Sequence, residues 1–159
     1  MINRRELIKM GLQTKVELQK ELNVQVANWS VLYTKLHQHH WYVKGPFFFT
    51  LHEKFEELYD EAAEVVDELA ERLLAIGGKP VSTLKEFMET STLSESTEKL
   101  SATEMVKSLV EDYSHINTQL RALAGHADEL DDTVTHDIAI GLTEKIEKHL
   151  WMLTAYLSE

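Results

Sequence analysis

Hydrophobic residues recur at spacings of three and four along most of the chain, which is the period of amphipathic α-helices. The repeat is clearest over residues 51–76. Its apolar stripe consists of Leu51, Phe55, Leu58, Ala62, Val65, Leu69, Leu73 and Ile76. The chain has only 6 Gly and 2 Pro, and its clearest breaks are Gly45-Pro46 and Gly77-Gly78-Lys79-Pro80. The turn residues that would separate short strands do not recur at a regular spacing. The pattern therefore predicts an all-α protein.

Capping boxes, in which Ser or Thr precedes Glu by three residues, mark helix starts. They occur at Thr50–Glu53, Thr83–Glu86 and Ser101–Glu104, and Asp131-Asp132-Thr133 offers N-caps for a last helix. The predicted helices run to about Val43, over 51–76, over 84–89, from about 102 to 125–130, and from about 133 to 157. Four long helices with a long second connection, itself holding a short helix, predict a ferritin-like four-helix bundle.

The length of 159 residues fits one domain, 1–159, in which residues 1–15 form a flexible or amphipathic N-terminal extension. The net charge of −11 repels nucleic acid and attracts cations, although residues 1–20 carry +3. The absence of cysteine excludes disulfides and thiolate metal sites, so a metal would need carboxylate and imidazole ligands. No segment is apolar enough to span a bilayer or to act as a secretion signal, which predicts a cytoplasmic protein.

Four possible metal ligands lie on one side of the second predicted helix, away from its apolar stripe. At about 100° per residue, they fall within an arc of roughly 100°; they are His52, Glu56, Asp67 and Glu71. The pairs His52/Glu56 and Asp67/Glu71 are 15 residues apart, about 22 Å along the axis, so one ion cannot join them within one chain. An antiparallel copy of the helix would place one chain's histidine end beside the other chain's carboxylate end.

A second apolar stripe on this helix indicates that the same side is buried in a subunit interface. It consists of Tyr59, Ala63, Val66, Ala70 and Leu74. The alternative is that the carboxylates form an ordinary solvated face, since such (i, i+4) pairs are common by chance. The Glu-x-x-His pairs of di-iron bundles are absent, which argues against a site inside one bundle.

Longer motifs resemble the Dps family, the miniferritins also called DNA-binding proteins from starved cells. They span 37–45 (His-x-x-His-Trp-Tyr-Val-x-Gly), 49–55 (Phe-Thr-Leu-His-Glu-Lys-Phe), 67–72 (Asp-Glu-Leu-Ala-Glu-Arg), 77–86 and 148–152. The resemblance implies a hollow homododecamer with ferroxidase sites at two-fold interfaces. It assigns His40 and His52 to one chain and Asp67 and Glu71 to its neighbour. Glu56 stands where many members have Asp, His37 is an additional candidate ligand, and Trp41 a candidate redox aromatic.

The resemblance also implies the function: Fe(II) is oxidised to Fe(III), preferably by hydrogen peroxide, and mineralised inside the shell, which protects DNA. Two irons per intersubunit site and no organic cofactor are expected. The acidic residues Asp128, Asp131, Asp132 and Asp137 resemble the lining of an iron entry pore, although Asp131 and Asp132 also suit a capping role. The alternative function is nucleoid-associated DNA binding through the basic N-terminus.

Overall fold

Five helices account for most of the residues that the computed structural model describes, 2–96 and 100–158. They are α1 (Arg4–Tyr42), α2 (Phe48–Ala75), α3 (Leu84–Thr90), α4 (Ala102–Glu129) and α5 (Thr133–Leu157). Helix α1 packs along α2 and α4 along α5, while α1 also contacts α3 and α4. The predicted ferritin-like four-helix bundle, with a short helix in the crossover between α2 and α4, is confirmed.

The core of the bundle contains the predicted apolar stripe of α2. All its members except Ile76, which is half-buried, are buried. Trp29 of α1 and Tyr113 of α4 meet edge to face in the same core, with ring centroids 6.2 Å apart. None of the helices over the described ranges is long and apolar enough to cross a membrane.

Most of the predicted helix starts are confirmed by their caps. Thr83 and Ser101 form capping boxes with Glu86 and Glu104, and the Asp132 side chain accepts the N–H of Thr135. Each bond satisfies a backbone donor that the first turn of a helix leaves without a partner.

The predicted start of α2 is wrong. The chain turns at Gly45, whose φ is +106°, and the N–H of Phe48 donates to the carbonyl of Gly45 at 3.1 Å. The helix begins as soon as this turn closes, so Phe47 is the N-cap and provides no side-chain bond. Thr50 therefore lies inside the first turn and does not cap the helix.

The N-terminal segment is helical and continuous with α1. Asn3 and Glu6 form a capping box, so the helix starts at Arg4. Residues 2–17 are exposed, including the large apolar residues Ile2, Leu7, Ile8, Met10, Leu12 and Val16.

Candidate metal centre

Two histidines meet where the last turn of α1 passes the first turns of α2. His40 Nδ1 lies 2.7 Å from the carbonyl oxygen of His52, and His52 Nδ1 lies 2.8 Å from that of His40. The rings stack, with centroids 3.6 Å apart and planes inclined by 16°. A carbonyl only accepts hydrogen bonds, so each Nδ1 carries a proton, and in the neutral ring Nε2 is the nitrogen that keeps a lone pair. This tautomer is the one that binds metal through Nε2.

Other aromatic rings extend the stack on both sides. Phe48 lies nearly parallel to His52 at 5.0 Å, and Tyr59 stands at 90° to His40 at 5.3 Å. Tyr59 also stacks on His37, with centroids 3.8 Å apart and planes inclined by 18°. We call the rings of Phe48, His52, His40, Tyr59 and His37 the aromatic column.

The neighbours of the aromatic column differ in burial. Trp41, the candidate redox aromatic, lies 5.3 Å from His37 and is 68% exposed. His39, which lies between His37 and His40 in sequence, instead faces the core against Phe55. Burial, and then the charge of Lys35, lower the pKa of His39 to about 4, so this imidazole is neutral at physiological pH.

The predicted carboxylate ligands are exposed on α2. Glu56 lies one turn beyond His52, whereas Asp67 and Glu71 lie near the far end of the helix. Over the described residues, no three His, Asp or Glu side chains come together in a way that could hold a metal ion. The structure thus pairs His40 with His52, places His37 against the ring of Tyr59, and leaves Asp67 and Glu71 near the far end of α2.

An apolar groove of about 810 Å³ runs beside the aromatic column between α1, α2 and α3. Its lining includes Tyr33, Trp41, Ala63, Val66, Phe87 and Met88. In the second apolar stripe of α2, Tyr59, Val66 and Ala70 are half-buried, whereas Ala63 and Leu74 are exposed. Within one chain this apolar face is incompletely covered.

Of the four candidate pore residues, Asp132 is held by several hydrogen bonds within the chain, and the other three are exposed. The Asp132 carboxylate accepts the N–H of Thr135 at 3.0 Å, its hydroxyl at 2.6 Å, and the guanidinium of Arg72 at 2.7 Å. Burial alone raises the pKa of Asp132, but the bonds from Thr135 and the charge of Arg72 outweigh it and lower the pKa overall. Asp128, Asp131 and Asp137 are exposed. Asp132 thus has the capping role considered above, and Asp131 does not.

Sequence reasoning missed two parts of this arrangement. Tyr59 and Phe48 were not recognised as neighbours of the histidines, although Tyr59 lies two helical turns beyond His52 and so on the same side. The ion pair of Arg72 with Asp132, which joins the end of α2 to the start of α5, has no signal in the sequence.

Comparisons with known proteins all match ferritin-like proteins or Dps proteins. The ferritin-like domain family matches residues 19–159. DNA protection during starvation protein 2 of Bacillus anthracis is 53% identical over 138 residues, covering 87% of this chain and 94% of that protein. The crystal structure of a Dps protein from Bacillus brevis superposes with a TM-score of 0.90 at 49% identity, covering 92% and 98% of the two chains.

A solved structure with lower sequence identity is described by the kind of metal site in its superfamily. The Dps protein from Vibrio cholerae O1 superposes with a TM-score of 0.89 at 31% identity, covering 92% of each chain. It is described as a member of a broad superfamily of ferritin-like diiron-carboxylate proteins.

Proposed function

The chain belongs to the Dps family of ferritin-like proteins, and on that premise we propose that it oxidises Fe(II) and stores the product, at sites that two copies of the chain complete. The observation that carries the proposal is the reciprocal pairing of His40 and His52. It presents two Nε2 lone pairs at a place where the same chain supplies no cluster of ligands among its described residues.

A second copy supplies what is missing if its α2 packs antiparallel over the groove. The exposed Ala63 permits a close approach between the two helices, and the half-buried Val66 would become covered. Asp67 and Glu71 of each copy then lie beside His40 and His52 of the other. Two-fold symmetry makes two equivalent sites per pair of chains.

The ligand set suits iron as a substrate. Imidazole nitrogens with carboxylates bind Fe(II), and carboxylates also accept Fe(III). Glu56, one turn from His52, adds a carboxylate from the histidine side. Two neighbouring Fe(II) ions give two electrons to one hydrogen peroxide, which takes up two protons and leaves as two water molecules. No hydroxyl radical is released in this step, and DNA is thereby protected.

The ferric product accumulates inside a closed dodecamer. The exposed acidic residues Asp128, Asp131 and Asp137 concentrate Fe(II) at its entrance by focusing the negative field, with Asp132 mainly holding the segment in place. Light scattering is expected to give about 220 kDa, twelve times the 18.3 kDa chain. A stable monomer that binds and oxidises iron would contradict the shared site.

The test of the activity is anaerobic loading with Fe(II), followed by peroxide or oxygen, with ferric absorbance recorded. We expect peroxide to be the faster oxidant, and a spin trap to report less hydroxyl radical with protein than without. His52→Ala is the control, because it removes one ligand from every site. Equal radical yields with and without protein would remove the protective role and leave iron storage as the only function.

DNA binding is a second candidate function, favoured by one observation. Arg4, Arg5 and Lys9 are exposed on the first turns of α1, at the end of the chain that carries a positive charge. A gel shift at low and moderate salt tests it, since phosphate contacts weaken steeply with salt. Arg4 and Arg5 replaced together by Gln should abolish any shift that depends on this segment.

A further inference from the structure

A buried amide ties the crossover to the bundle at the end of α3. Asn28 of α1 is fully buried, and its Oδ1 accepts the backbone N–H of Thr92 at 2.7 Å and the hydroxyl of Ser91 at 2.8 Å. Its Nδ2 donates to Thr92 Oγ1 at 3.0 Å and to Gln119 Oε1 of α4 at 2.8 Å. Both donors and both lone pairs of the amide are used. We call the side chains of Asn28, Thr92, Gln119 and His115 the crossover latch.

The orientation of the groups in the crossover latch follows from one backbone donor. The N–H of Thr92 can only donate, so the atom of Asn28 that it meets is the oxygen, and the other atom is the nitrogen. That nitrogen can only donate, so it faces the oxygen of Gln119, whose nitrogen then faces Thr92 Oγ1 at 3.1 Å. The hydroxyl oxygen of Thr92 thus accepts from two amides, which fill its two lone pairs.

The hydroxyl proton of Thr92 then points to His115. His115 Nε2 lies 2.8 Å from Thr92 Oγ1, whereas Asn28 Oδ1, whose lone pairs are both occupied, lies 3.3 Å away. The hydroxyl therefore donates to His115, and Nε2 accepts and carries no proton. The crossover latch is complete only with a neutral imidazole that is protonated at Nδ1.

A proton added to His115 disturbs this arrangement. An imidazolium donates from both ring nitrogens, so Thr92 Oγ1 would face three donors with two lone pairs. At least one hydrogen bond of the crossover latch must then open, beside the buried Asn28, where an unsatisfied polar group is costly. His115 itself is exposed, so a proton reaches it directly from solvent.

The charged groups around His115 act on the same equilibrium. Glu111 and Asp112 lie one turn before it on α4, and both carboxylates favour an imidazolium. Lys35 of α1 opposes it, but this ammonium is paired with Asp112 at 2.5 Å. Glu95, three residues beyond Thr92 on the crossover, is exposed. The carboxylates therefore favour the proton on His115, and the crossover latch resists it.

The position of α3 depends on the crossover latch. None of the seven residues of α3, all of which lie in the described part of the chain, is fully buried. Its C-cap, Ser91, donates to Asn28, and Leu93 is the next apolar anchor in the core. Phe87 and Met88 of α3 line the apolar groove, so the crossover latch also fixes one wall of the groove.

We propose that His115 is a pH sensor of the crossover: its neutral form closes the crossover latch, and its protonation releases α3 and the groove wall that α3 forms. The device lies within one chain and outside the candidate metal centre. It therefore stands or fails independently of the proposed function.

The test is hydrogen–deuterium exchange of the assembled protein at pH 8 and pH 5, which bracket the range in which imidazoles ordinarily gain a proton. Exchange rates are corrected for the effect of pH on an unprotected amide. Peptides covering residues 84–93, which include the latched N–H of Thr92, are compared with reference peptides of residues 55–73 in α2.

Three variants separate the sensor from other effects of acid. His115→Gln keeps a side-chain oxygen that can accept from Thr92 and never becomes charged. Thr92→Val removes the hydroxyl at the centre of the crossover latch and keeps the shape of the side chain. His136→Gln is the matched control, because it replaces a half-buried histidine of α5 whose ring faces Asp137.

We expect the wild type and His136→Gln to lose about tenfold of the protection over residues 84–93 between pH 8 and pH 5, the effect of one hydrogen bond of ordinary strength. The reference peptides should keep their protection. His115→Gln should stay protected at both pH values, and Thr92→Val should exchange rapidly at both.

Two results would overturn the sensor. One is an equal loss of protection in the wild type and His115→Gln, and the other is a wild type that stays fully protected at pH 5. Circular dichroism and light scattering check that each variant folds and assembles. If His115→Gln does not reproduce the wild-type protection at pH 8, Thr92→Val decides: a pH dependence equal to that of the wild type refutes the sensor, and its loss supports it.

Discussion

The carboxylate of Asp132 is engaged three times within its own chain, by Arg72 and by both donors of Thr135. The other acidic side chains of its segment, Asp128, Glu129 and Asp131, are exposed. The negative charge of Asp132 is largely balanced by the guanidinium at 2.7 Å. Exposed neighbours such as Asp131 therefore contribute more than Asp132 to any attraction of cations, and Asp132 contributes more to stability.

Asp132→Ala should lower the thermal stability of the assembled protein, because it removes the cap of α5 and leaves Arg72 half-buried without its partner. The loss of a cap alone is about 0.5–2 kcal/mol. Asp132→Asn should cost less, since asparagine also caps helices. Asp131→Ala, at an exposed neighbour, is the control and should change little. Thermal unfolding is followed by circular dichroism at one protein concentration.

The same carboxylate makes part of the stability dependent on pH. The folded pKa of Asp132 lies below its usual value, so its contribution is present above about pH 4, where the unfolded side chain is ionised. It is lost as the pH falls through the lowered folded pKa. The difference in melting temperature between wild type and Asp132→Asn should therefore shrink in acid. A difference that grows in acid would contradict the assigned direction.

At the scale of helices, α2 ends in a Schellman motif that depends on two glycines. The N–H of Gly77 donates to Leu74 O at 3.0 Å and that of Gly78 to Leu73 O at 2.8 Å. Gly77 has a φ of +84°, which favours glycine, and a Cβ at Gly78 would collide with the side chain of Leu73.

Gly78→Ala should destabilise the protein by about 1–3 kcal/mol, because the added methyl group forces the buried Leu73 to move. Gly141→Ala is the matched substitution inside α5, where the new Cβ meets no atom within 4 Å. It should stabilise the helix by up to about 1 kcal/mol. Chemical denaturation of both variants checks the pair. Equal shifts in the same direction would show that the contact with Leu73 does not matter.

Helix positions were predictable where the signal is local, and the geometry of the candidate metal centre only in part. Thr83 and Ser101 cap their helices through residues three positions away, so the sequence contains the whole interaction. The capping box at Thr50 predicted the wrong start for α2, because the turn at Gly45 closes before Thr50 and the helix begins there. The aromatic column depends on how the end of α1 passes α2, a packing relation that no spacing encodes.

At the scale of the whole molecule, one chain presents half of the proposed centre at each end of α2. The histidine half lies by the first turns, and Asp67 and Glu71 lie 15 or more residues along the same helix, at least about 22 Å away. A rigid helix cannot bring its own ends together. A site within one chain and a site shared by two chains therefore predict opposite outcomes when two inactive variants are mixed: activity returns only if the site is shared.

His52→Ala and Asp67→Ala, made separately, should each lose most ferroxidase activity, because every site lacks a ligand. The two variants are then co-assembled. In a mixed pair one site lacks both ligands, whereas the other takes His52 from the Asp67→Ala chain and Asp67 from the His52→Ala chain. With random pairing half of the pairs are mixed and half of their sites are intact, so about a quarter of wild-type activity should return. If mass spectrometry detects mixed pairs and no activity returns, the ligands act within one chain and the shared centre is refuted.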